Sequence, residues 1–99
     1  MLDFYIIEDD RSGPPNPEQM NLEFAGGVDD DTFGNLQKKG IIDTRFGYHS
    51  HFRWRTIVIR QIRQIISNKK IDSDTDVKKL VELLDIAQAN NSGLIAYGD

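Results

Sequence analysis

Ser50-His51-Phe52-Arg53-Trp54-Arg55-Thr56-Ile57-Val58-Ile59-Arg60-Gln61-Ile62-Arg63-Gln64-Ile65-Ile66-Ser67-Asn68 is the stretch on which the reading of the fold turns. Trp54, Val58, Ile62 and Ile65 fall in one row at helical spacing, Ile59 and Ile66 widen it, and Arg53, Arg60 and Arg63 lie on the opposite side. Ser50 is a residue type whose side-chain oxygen satisfies a free amide at a helix start. The spacing therefore predicts a helix from Ser50 to about Asn68, with a stripe broad enough to make it the main core helix.

Toward the C-terminus, Ser73 or Asp74 precedes Val77, Leu80, Val81, Leu84 and Ala87, which follow the 3.6-residue period and predict a helix ending near Asn90, Asn91 and Gly93. Leu94 to Tyr97 is short and apolar, and reads as a final strand. Toward the N-terminus, Asp29, Asp30 and Asp31 stand before Phe33 and Leu36, with Lys38, Lys39 and Gly40 after them. Acids at the start, cations at the end and a closing glycine mark a helix over about 30–39. Ile41 and Ile42 suggest a short extended piece before a turn at Phe46-Gly47-Tyr48. Residues 2–7 alternate Leu2, Phe4 and Ile6 with Asp3, Tyr5 and Ile7, which predicts a strand. All three prolines fall within 9–20 and force an irregular loop. Leu22 and Phe24 then read as a second short strand that Gly26 and Gly27 end or bulge.

The order is strand, strand, helix, helix, helix, strand. It predicts an α+β fold in which a small sheet of about three strands carries three helices on one face, as a single domain over residues 1–99. A chain of 99 residues, 38% hydrophobic and 28% charged, lies in the ordinary globular range.

With no cysteine, disulfides, thiolate metal sites and cysteine nucleophiles drop out, and a reducing, cytoplasmic setting is expected. The first eight residues lack a basic region and carry Asp3 and Glu8, unlike a secretory signal, and no run approaches the roughly 20 apolar residues of a membrane span. The net charge of −4 is segregated: nine acids face three bases over 1–40, one acid faces seven bases over 41–70, and six acids face two bases over 71–99. Mutual neutralisation across the fold is the simpler reading, and a charged docking face the sharper one.

The run Arg45-Phe46-Gly47-Tyr48-His49-Ser50-His51-Phe52-Arg53-Trp54-Arg55 concentrates cations and rings. Such a mixture can track phosphates and stack bases, so Arg45, His49, Arg53, Trp54 and Arg55 form a candidate site for an anionic ligand or RNA. The structural alternative puts Phe52 and Trp54 in the core and pairs the arginines with the acidic flanks. His49 and His51 in an H-x-H spacing, with Asp43 as third ligand, could hold a metal only on a strand; at a helix cap they diverge, so no metal is expected. Ser50 lies in no strained nucleophile elbow, and Gly26-Gly27 lacks both the lysine and the glycine spacing of a phosphate loop; no catalytic residue and no cofactor are expected. Two acidic clusters remain. Helix capping accounts for part of Asp29-Asp30-Asp31, but not for Glu8-Asp9-Asp10. Glu8, Asp9, Asp10, Asp29 and Asp30 are the candidate acidic face for a basic protein partner.

The stretch from Leu22 to Ile62, with L-E-F-A-G-G followed by F-G-N-L-Q-K-K-G-I-I-D-T-R-F-G-Y-H-S-H-F-R-W, resembles small bacterial proteins encoded beside polymorphic toxins as their immunity partners. Where that pattern often has an acid after the serine, this chain has His51. The resemblance implies a cytoplasmic, non-enzymatic protein that occludes one cognate toxin domain. The expectation is thus a binding domain for a basic toxin domain, with binding of an anionic ligand or RNA through residues 45–63 as the alternative.

Overall fold

The computed structural model describes residues 1–98. Strand β1 (Leu2–Ile7) is followed by a loop containing one 3-10 turn (Pro17–Met20), then β2 (Glu23–Val28), α1 (Asp30–Lys38), β3 (Phe52–Trp54), α2 (Thr56–Lys69), α3 (Thr75–Ala89) and β4 (Gly93–Tyr97). The sheet has four strands in the order β2-β1-β4-β3, every neighbouring pair antiparallel. The two strands nearest the chain ends therefore pair with each other at its centre, and β2 and β3 are its edges.

The α+β class and the three helices agree with the sequence reading. The sheet has one strand more than expected. Phe52, Arg53 and Trp54, read as the first turn of the second helix, are instead β3, paired with Ala96, Ile95 and Leu94. The period-2 pattern wins over the period-3.6 pattern because β4 offers an open ladder, while Phe52 and Trp54 share one face of it. Ser50 is accordingly no helix cap. Its carbonyl accepts from the Gly98 amide at 3.1 Å, which extends the β3–β4 pairing past the strand end. Helix α2 begins six residues later, and the residues it buries are Ile59, Ile62 and Ile66, with Val58 and Ile65 half-buried and Ile57 exposed.

Helix α1 ends as its sequence demands. The Ile41 amide donates to Leu36 O at 2.9 Å and the Gly40 amide to Gln37 O at 3.0 Å, the paired bonds of a left-handed helix terminus, with Gly40 at φ 76°. Ile41 and Ile42 are thereby turned into the core and form no extended strand. β2 is longer than expected and carries Gly26 and Gly27 inside it, with a register shift opposite Phe4 and Tyr5 that leaves Ala25 bulged. A Cβ on Gly26 would lie 2.8 Å from Leu83 Cδ2, so the absent side chain lets α3 sit close on β2.

All three helices cover one face. Leu2 and Phe4 of β1, Leu94 and Ala96 of β4 and Trp54 of β3 meet Phe33, Leu36, Ile59, Ile62, Val77, Leu80 and Leu84 there in one contiguous core. Trp54 packs 5.1 Å from Phe4, ring centre to ring centre, and Phe46 closes over Phe52 at 4.9 Å. On the other face Ile7, Ile95 and Tyr97 form a smaller cluster with Tyr5 and Leu22. No helix among the described residues is long and apolar enough to cross a membrane.

Candidate functional site

The face of the sheet without helices is where side chains of several chain segments converge. Strand alternation sends Tyr5 and Ile7 of β1, Ile95 and Tyr97 of β4 and Arg53 of β3 to it. Four rings form a row across the strands: Phe24 to Tyr5 at 5.4 Å, Tyr5 to Tyr97 at 5.8 Å and Tyr97 to His51 at 5.2 Å, each pair edge to face. Tyr5 was visible in the sequence as the second phase of an alternating strand, whereas Tyr97 stood in a run read only as short and apolar; that the two align with Phe24 and His51 depends on the register.

The proline-rich loop crosses this face and is fastened at three points. The Tyr97 hydroxyl donates to Pro14 O at 2.7 Å in a buried bond. One arm of the Arg53 guanidinium donates to Glu8 O at 2.6 Å, and the other to Arg11 O. Asp9 reaches α2, where one carboxylate oxygen accepts from the Thr56 amide at 3.0 Å and the other from the Thr56 hydroxyl. These bonds from Thr56, the hydroxyl foremost, hold the Asp9 carboxyl below its ordinary pKa. Burial, reinforced by the field of Glu18, raises both Tyr97 and Tyr5, and Asp3 adds to the effect on Tyr5.

The fastened loop leaves a groove on each side. One of about 360 Å³ runs between Pro14, Pro15 and the β3 side, with His51, Phe52, Arg53, Ile95 and Tyr97 on its walls. The other, about 220 Å³, is bounded by Tyr5, Pro17, Glu18, Asn21 and Leu22. A third hollow of about 320 Å³ lies at the start of α2 among Asp9, Thr56, Arg60, Gln88 and Asn91. The helix terminus there, which would otherwise attract an anion, already holds the Asp9 carboxylate.

The candidate acidic residues do not form one face. Leu2 pairs with Val28 at one end of the β1–β2 ladder and Ile6 with Glu23 at the other, so Glu8, Asp9 and Asp10 are separated from Asp29 and Asp30 by roughly 17 Å of strand. Two of the five carboxylates are already engaged in capping. Asp29 accepts from the Thr32 amide at 2.7 Å and starts α1, a bond that lowers its pKa; Asp9 starts α2. Glu8, Asp10 and Asp30 are exposed.

The candidate anion-binding residues also diverge. Trp54 is fully buried, out of reach of a stacking base. Arg53 serves two backbone carbonyls of the loop. Arg45, His49 and Arg55 are exposed, with the Arg45 guanidinium 4.7 Å from the Phe46 ring centre. His49 lies against Tyr48, which packs on Phe33 of the helical side, whereas His51 lies against Tyr97 on the open side. The Asp43 carboxylate accepts from the Arg45 amide at 2.9 Å. Among the described residues no group of three His, Cys, Asp or Glu side chains is placed to hold a metal ion.

Comparison with family models, with curated proteins and with solved structures finds no match for this chain.

Proposed function

We propose that this chain is a non-enzymatic protein-binding domain of the immunity type, which works in the cytoplasm by occluding a cognate toxin domain. The observation that carries the reading is the exposed aromatic surface at the β1–β2 side of the open face. Phe24 keeps 55% of its surface accessible and rests edge-on against Tyr5. Two carboxylates flank the pair: Asp3 and Glu18 lie close enough to Tyr5 to act on its hydroxyl. An aromatic anchor within an acidic surround suits a basic protein partner, because rings supply contact area at low entropic cost and the charges speed encounter.

The anionic-ligand or RNA alternative retains Arg45, His49 and Arg55 as exposed groups and lacks the indole that would stack a base. Salt-dependent binding of short oligonucleotides would revive it.

Co-expression with the product of each adjoining gene tests the proposal. The expected result is a stable complex that suppresses that product's toxicity and is weakened at least tenfold by Phe24→Ser. Failure of every neighbour to bind or to be neutralised would overturn it.

A further inference from the structure

Among the described residues β2 has a single strand neighbour, β1, and six residues of extended backbone whose alternate amides and carbonyls face away from the sheet. Open edges of this kind pair with any compatible strand unless they are blunted, and this one is blunted only in part. The bulge at Ala25 interrupts its ladder, but Gly26 and Gly27 put no side chains in the path of an incoming backbone. Met1, at 61% exposure, lies over Gly27 toward one end of the strand, and Phe24, at 55%, is exposed toward the other.

Charge identifies what this edge accepts. Glu23 stands at its start and Asp29 and Asp30 follow its end, with Asp3 on the neighbouring strand beside Gly27. One cation, Lys79 of α3, acts on Asp29. A second copy of the chain is the wrong occupant. Antiparallel pairing of β2 with itself would set Glu23 of one copy against the Val28-Asp29-Asp30 end of the other, bringing like charges together between two molecules that each carry −4. We propose that β2 is a strand-addition edge whose occupant is an extended, lysine- or arginine-bearing segment of a protein partner, laid down as a fifth strand with an apolar side chain against Phe24. Backbone pairing supplies the affinity, and the alternate cations the selectivity. This rests on the protein-binding reading above and names how the partner is held.

The direct probe is a blocked heptapeptide alternating lysine and valine, titrated into the isotopically labelled protein and followed by amide chemical shifts. Saturable changes concentrated at residues 23–28 are expected, with slowed exchange of β2 amides. Methylating alternate peptide nitrogens should weaken binding at least tenfold, as should Glu23→Lys or Phe24→Ser, both at exposed positions. A glutamate-valine peptide should not bind. Shifts centred on residues 45–63, equal affinity for the methylated peptide, no binding at millimolar concentration, or a dimer formed through β2 would each overturn the proposal. A neighbouring gene product that binds but leaves β2 amides unprotected would refute strand addition and leave the toxin-binding reading standing. Peptide pairing at β2 without any toxin partner would support strand addition and remove the toxin reading.

Discussion

Asp9 caps the helix that Thr56 begins, across 47 positions of sequence, with one carboxylate oxygen on the Thr56 amide at 3.0 Å and the other on its hydroxyl. Arg55, the residue in the usual capping position, makes no side-chain cap bond. A β1–loop residue thus supplies the start signal of α2, and ties the proline-rich loop to the helical layer.

Removing this tie costs stability. Asp9→Ala should destabilise the fold by about 1–2 kcal/mol, the usual loss when a helix cap is truncated. The effect depends on pH with a definite sign. The Asp9 pKa is lowered in the folded state, so its contribution is present above the unfolded value of about 4 and is lost as pH falls through the folded value. Denaturant melts of wild type and Asp9→Asn should therefore differ at pH 7 and converge at strongly acid pH; a constant difference across that range would disprove the linkage.

Arg53 grips the same loop with two donors at once, on Glu8 O and Arg11 O. Lysine cannot reproduce that fork. Arg53→Lys should leave the sheet folded but loosen residues 9–16, giving faster limited proteolysis there and a loss of about 1–2 kcal/mol from the charged hydrogen bonds. Unchanged cleavage kinetics would mean that Tyr97 and Asp9 suffice to fasten the loop.

Trp54 is the single tryptophan, and it is wholly enclosed between Phe4, Phe46 and Phe52. Trp54→Ala should cost about 3–5 kcal/mol, comparable to much of the stability of a small domain. The indole N–H has no acceptor among the described residues, so Trp54→Phe forfeits packing and no hydrogen bond shown there. Its cost should be roughly 1–2 kcal/mol. Native fluorescence should be blue-shifted and should move to the red on unfolding, which measures both variants.

Two glycines make a contrasting pair. A Cβ on Gly93 would lie 2.3 Å from the Trp54 carbonyl oxygen, backbone against backbone between β3 and β4. Gly93→Ala should therefore destabilise by about 3 kcal/mol. Gly34 sits within α1, and beyond its chain neighbours and the helix's own backbone no described residue comes within 4 Å of its would-be Cβ. Gly34→Ala should stabilise by about 0.5–1 kcal/mol. Paired thermal melts decide both signs.

Periodicity alone carried most of the secondary structure. The spacing of Val77, Leu80, Val81, Leu84 and Ala87 announced α3, the acid-to-cation gradient and Gly40 announced α1, and the alternation of Leu2, Phe4 and Ile6 announced β1, because each of these signals is local and repeats along one element. Phe52-Arg53-Trp54 satisfied two periods at once, and only the unfilled edge of β4 chose the strand. The same holds for function. Residue types told where cations, rings and carboxylates were concentrated along the chain, but strand register set Asp9 apart from Asp29, turned Trp54 inward, and aligned Phe24, Tyr5 and Tyr97 across three strands with His51, just before β3, beside them. Side chains distant in sequence acquire a common surface only when backbone pairing fixes which positions lie opposite one another, and that information is long-range.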